Sequence, residues 1–211
     1  MTLLPDFIGD IAASASGLPF GKAVSSLVEG VWRKRQERAK EVFLDEMRRG
    51  NLPPSYVQVD DETIAILLRF NRAAMEGAAK RNLRLMARVF VGMARVHSIQ
   101  ADEFLSLADS LSSLRREEAV VLADLLCAFK AIEDGLIENN QKNVNAFQEA
   151  KEKSMARLSI NEEGYLSFCG SLLRTGFVLS ISGFDGGVYI ASPMGKRLAK
   201  LVEIEAIDLD A

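Results

Sequence analysis

The sequence is poor in the residues that most often carry chemistry. Among 211 residues there is one histidine, His97, and there are two cysteines, Cys127 and Cys169. His97 has no ligand-type companion at i+3 or i+4, as a helical metal site requires. Both cysteines lie among apolar neighbours, without an adjacent cation to lower the thiol pKa, and read as core residues of a protein in a reducing compartment. No serine sits in a nucleophile elbow, and no glycine-rich segment has phosphate-loop spacing. Glu117 and Glu118 are adjacent, so on a helix they diverge and cannot form a carboxylate dyad. These absences predict a protein that is not an enzyme, with no cofactor, metal or small-molecule substrate.

A dominant charge is missing too. The 26 basic and 29 acidic residues leave a net charge of -3. The chain as a whole is therefore no polyanion trap, though a local basic face is compatible with this balance. Long apolar runs are also absent. Asp10, Pro19, Lys22 and Glu29 interrupt every window of the roughly 18 residues a membrane helix needs. Asp6 and Asp10 fall where a signal peptide would be uncharged or basic. A cytoplasmic protein with no membrane role is expected.

What is present is helical periodicity. A short helix is expected over residues 6–16 and a longer one over 22–49, closed by Gly50-Asn51 and kept closed by Pro53-Pro54. Asp60 is a candidate N-cap for one long helix running to His97. On that helix Leu68, Met75, Met86, Val89, Phe90, Met93 and Val96 share one side. Arg69, Arg72, Lys80, Arg81, Arg84, Arg88 and Arg95 gather on the other, with Glu76 as the single acid between 69 and 95. Such a face suits a phosphate backbone or an acidic partner. The alternative is pairing within the chain, with Asp102, Glu103, Asp109, Glu117, Glu118, Glu133 and Asp134 as available acids. At the N-terminal end, Phe7, Ile8, Ile11, Leu18 and Phe20, followed by the basic stretch Trp32 to Arg38, complete a helical core or form a self-association arm more readily than they lie on a membrane.

The C-terminal part carries more specific signals. Helices are expected near 102–112 and 115–134, then an Asn-rich polar stretch and a charged helix through Arg157. Ser159-Ile160-Asn161-Glu162 has capping-box spacing before a helix that Gly176 should stop in the left-handed conformation. Phe177 to Ile181 and Val188 to Ile190 read as strands around a glycine-rich turn. Ser192-Pro193 then opens a last helix.

Two motifs here, Leu172-Leu173-Arg174-Thr175-Gly176-Phe177-Val178 and Tyr189-Ile190-Ala191-Ser192-Pro193-Met194-Gly195-Lys196-Arg197-Leu198, resemble the exit of the recognition helix and the exit of the wing in winged-helix modules. The resemblance implies a mainly α fold: a helical region over 1–98, then a winged-helix-like domain with one β-hairpin over 99–211. Residues 135–158 depart from it, standing where the family has a short turn. More broadly, Ala74 to Ala78, Arg84 to Arg88 and Phe104 to Leu122 are similar in layout to bacterial abortive-infection proteins of the alpha type, which implies a role in phage defence.

A DNA-reading helix needs basic and amide side chains on its outer face. This one opens with Glu162-Glu163 and has Arg174 alone at its far end. Lys196, Arg197 and Lys200 follow on the next helix. A protein partner or self-association is therefore expected of the module, with DNA binding by a transcriptional regulator as the alternative. If nucleic acid is bound, the helix from Arg69 to Arg95 should dominate, with Arg174, Lys196 and Arg197 secondary.

Overall fold

A computed structural model of the chain describes residues 22–53, 60–133, 142–183 and 186–202. The helix expected over 6–16 lies outside these, as do the apolar residues Phe7 to Phe20 and the tip of the hairpin. The fold is mainly helical, with one small antiparallel hairpin near the C-terminus. The chain divides into two compact units between Ser113 and Leu114.

The first unit contains α1 (Lys22–Arg49), α2 (Asp61–Glu76), α3 (Lys80–Arg95) and α4 (Ala101–Ser112). The helix expected to run unbroken from Asp60 to His97 is two helices. Asp60 does cap the first, accepting from the Thr63 N–H at 2.9 Å. Gly77 then adopts φ 95°, and the Ala78 N–H reaches back to the Ala73 carbonyl. This closes the helix with bonds that a continuing helix would have used elsewhere. Gly77 tolerates that conformation because it has no Cβ.

Phe43 of α1 joins Phe70 of α2 and Phe90 of α3, with ring centroids 5.1 and 5.0 Å apart. Met47, Ile66, Met86, Met93, Phe104, Leu107 and Leu111 complete this core. Segment 99–113, expected in the C-terminal domain, instead packs through α4 on α2 and α3. Phe104, Leu107 and Leu111 recur on one face of α4, and that face is buried here.

The second unit contains α5 (Arg116–Glu133), α6 (Lys142–Leu158), α7 (Glu162–Leu172), a 3₁₀ turn (Leu173–Thr175), β1 (Val178–Gly183), β2 (Gly186–Ala191) and α8 (Pro193–Val202). Helices α5, α6 and α7 pack on one another around Val121, Leu125, Ala146, Ala150, Tyr165, Cys169 and Leu172. Ala146 and Ala150 of α6 are fully buried, which lets it lie close along α5. Residues 142–158 are thus part of the core, although their sequence position suggested an insertion.

The cap of α7 also differs from expectation. Asn161, not Ser159, accepts from the Gly164 N–H at 3.0 Å. Ser159 has φ 54° and leads the chain out of α6, so its hydroxyl cannot serve as the first turn's cap.

The two motifs at the ends of the hairpin close on each other. Gly176 has φ 74° as expected. The Ser192 hydroxyl donates to the Gly176 carbonyl and accepts from the Gly195 N–H, while the Ser192 N–H donates to the Phe177 carbonyl. A Cβ on Gly195 would stand 2.2 Å from that carbonyl oxygen. Glycine is required there so that α8 can approach the backbone before β1.

Candidate functional site

Of the basic residues expected to form one face, Arg69, Arg72, Arg84, Arg88 and Arg95 meet partners within the first unit. Glu46 of α1 is only 3% exposed. It accepts from Arg88 Nε at 2.9 Å, and Arg84 Nε lies 3.9 Å away. Both arginines are largely buried, their side chains 14% and 17% exposed. Arg95 donates through Nε and Nη2 to the Gly50 carbonyl at the C-terminus of α1, where the helix dipole favours a cation.

Arg69 on α2 bonds Asp109 at 2.7 Å and the Ser112 hydroxyl at 3.2 Å. Asn82 donates to the Ser112 carbonyl, so the end of α4 is held from two helices. Arg72 pairs with Glu76 one turn on, in an exposed bridge. Lys80 and Arg81 are half-buried at the start of α3, and Arg81 Nε is shielded from solvent. Because the helix breaks at Gly77, the seven cations do not share a single stripe. Most of them tie helices together.

In the second unit, Arg174 is bonded to a buried acid, although its side chain is 44% exposed. Glu118 is fully buried and accepts from Arg174 Nη1 at 2.8 Å and Nη2 at 2.9 Å, from Arg115, and from the Ser171 hydroxyl. Burial pushes this carboxyl up, but the bonds from Arg174, Ser171 and Arg115 outweigh it and lower Glu118 to about 2. Asp124 is buried likewise, held by Ser154 at 3.0 Å, Arg157 at 2.9 Å and Lys153 at 3.3 Å. Glu118 is among the acids expected to pair, whereas Glu46 and Asp124 are not. A lone acid inside an apolar helical run, as Asp124 is between Leu122 and Leu125, is the signal for such a role.

With Arg174 engaged, the outer surface of α7 includes Glu162, Glu163, Leu166 and Ser167, and Glu162 pairs with Lys151. The hairpin presents a different chemistry. Leu179 faces Ile190 and Ile181 faces Val188 in register, so these four side chains share one side. Leu179 and Ile181 are 46% and 43% exposed, and Leu173, on the turn before β1, is 41% exposed. The opposite side carries buried Val178 and Ala191, together with Tyr189, whose ring lies 6.0 Å from Phe147. The remaining expected site residues are on α8. Lys196 is exposed and lines a cavity, and Arg197 is half-buried.

Burial pushes the Cys169 thiol up to about 12, and it pushes the Tyr165 phenol beside it up as well. His97 is exposed, at φ 52° after α3. Among the described residues no group of histidine, cysteine and carboxylate could hold a metal ion, and no helix is long and apolar enough to cross a membrane. Compared with known proteins, the chain matches no family model, no curated protein and no solved structure.

Proposed function

We propose that this chain is a non-enzymatic macromolecular-interaction protein whose C-terminal unit is a winged-helix module used for protein contact, acting in phage–host conflict. In that reading α5, α6 and α7 are the three helices of the module, α7 stands in the recognition position, and β1 and β2 form the wing. Residues 142–158 supply the second helix in that reading. Phage–host conflict rests on the similarity of the helical layout to abortive-infection proteins of the alpha type.

The observation that carries protein contact is the pairing of an occupied arginine with an apolar wing. Arg174 is the cation at the end of α7 suited to reading bases, and Glu118 holds it. The outward side of the wing offers Leu179, Ile181, Val188 and Ile190. Apolar, charge-poor surface is what the buried centre of a protein interface is made of, whereas DNA contacts are dominated by phosphate-seeking cations.

A photo-crosslinking amino acid at position 181, with position 72 as control, tests this in bacterial cells under phage infection. Discrete protein adducts from position 181, lost when Leu179 becomes Ser, are expected. Nucleic-acid adducts from position 181 would overturn the reading in favour of a regulator. The same cells should plate phage less efficiently than cells carrying the Leu179→Ser, Ile181→Ser form. Equal plating would remove the phage–host part of the proposal.

A further inference from the structure

The hairpin has an edge as well as an apolar face. β1 pairs with β2 alone, so one side of β1 carries backbone groups that no other strand among the described residues meets. The ladder shows which groups these are. The Ser192 N–H donates to the Phe177 carbonyl directly opposite, and hydrogen-bonded and non-hydrogen-bonded pairs alternate from there. Leu179 and Ile181 therefore direct their N–H and C=O groups at Ile190 and Val188 of β2, and Val178, Ser180 and Ser182 direct theirs outward. Natural edge strands are blunted by a lysine, a proline or a bulge. β1, Val178-Leu179-Ser180-Ile181-Ser182-Gly183, has no charge and no proline, and its register with β2 runs without a bulge.

We infer that β1 pairs antiparallel with β1 of a second copy of this chain, about a two-fold axis through Ser180, to make a four-stranded sheet. The inference rests on the reading of the hairpin as a contact surface, and it names a partner for it. The strand is complementary to itself in this register. Ser180 lies opposite Ser180 of the second copy, and Val178 lies opposite its Ser182, so the outward N–H and C=O groups of these residues are all bonded. Leu179 falls opposite Ile181 of the second copy, and Ile181 opposite its Leu179, at the non-hydrogen-bonded positions where side chains come closest. A two-fold axis brings like residues together, so a charge at its centre would repel its own copy. β1 carries none. Leu179, Ile181, Val188 and Ile190 of both copies then form one continuous apolar face, which enlarges the surface assigned to protein contact. Two paired strands bury less than the roughly 1,200 Å² at which stable interfaces begin, so the dimer dissociates at concentrations on the order of micromolar.

The test is sedimentation equilibrium of the full chain at about 5 to 500 µM, where the mass should rise to twice that of the chain. Ser180→Pro removes an N–H that makes no bond to β2, so the hairpin keeps its ladder while the dimer loses its central bonds. The dissociation constant should rise about 10- to 100-fold. Ser180 is exposed, and Ser180→Lys or Ser180→Asp should each weaken self-association about fivefold. An equimolar mixture of the lysine and aspartate variants should regain the wild-type affinity to within about twofold, because opposite charges then meet across the axis. A variant that failed to fold could not give this rescue.

A chain that stays monomeric at about 500 µM would overturn the inference. So would a dimer that Ser180→Pro and Ser180→Lys leave unchanged, because another surface would then join the copies. A mixture that associates no better than either charged variant alone would overturn the two-fold register. Failure of the dimer and failure of the proposed function are separable. A monomeric purified chain whose position 181 crosslinks to other proteins in cells would discard the dimer and keep protein contact. A dimer in the purified chain, with nucleic-acid adducts from position 181 in cells, would keep the dimer and discard the proposed function.

Discussion

Four arginines of the first unit meet neighbouring helices, whereas the hairpin of the other unit leaves apolar side chains exposed. Arg69, Arg84, Arg88 and Arg95 are bonded or close to acids and carbonyls of adjacent helices, with side chains largely buried in the first three. The hairpin, almost without charge, has Leu179 and Ile181 nearly half exposed. In the first unit these four arginines tie helices together, while the hairpin keeps one apolar side exposed. Cations counted along a chain do not locate a binding face; what decides is whether an acid of the same unit lies within reach of each one.

The strongest way to break this comparison is to remove the acid. Glu46→Ala leaves Arg84 and Arg88 without their carboxylate in a largely buried setting, and should cost about 3 kcal/mol, measured by urea denaturation. A loss below about 0.5 kcal/mol would mean that the arginines are not using Glu46.

Gly195→Ala should cost about 1–3 kcal/mol through the clash with the Phe177 carbonyl, with hydrogen exchange localising the damage to the hairpin and α8.

Glu118 sharpens the contrast through pH. It ionises at about 2 in the folded chain, against an ordinary value of 4.5. Its depressed pKa contributes stability that is complete above the ordinary value and fades as the pH falls towards the folded one. Glu118→Gln should therefore lower stability at neutral pH and flatten its dependence on pH across that window. An unchanged acid profile would show that another group carries it.

The smallest effects on stability belong to exposed sites. Arg72→Ala, and Leu179→Ser with Ile181→Ser, should each shift stability by no more than about 0.5 kcal/mol. Leu179→Ser alone should nevertheless abolish crosslinks from position 181.

Much of the second unit was legible in the sequence because its signals are local. Gly176 turns the chain where it stands, and Ser192 and Pro193 cap and open α8 within three residues, so the hairpin's start and the opening of α8 follow from them. The break at Gly77 was legible in principle, but a helical period continued across it and outweighed one glycine. The cap at Asn161 was obscured because Ser159 offered the same spacing, and only the turn out of α6 decides between them.

The fate of the arginines was not local at all. Glu46 lies 42 residues from Arg88, and periodicity carries no information over that distance. Asp109 and Glu118 were foreseeable as acids, but not which cation each would meet.

The most direct test of the claim that the basic residues act as internal ties is the binding of mixed-sequence duplex DNA, followed by fluorescence anisotropy at about 50 and 200 mM salt. The account predicts no saturable binding at either concentration. Saturable binding at the lower salt, falling with a log–log slope of about -4 as four or five phosphate contacts would require, would contradict it.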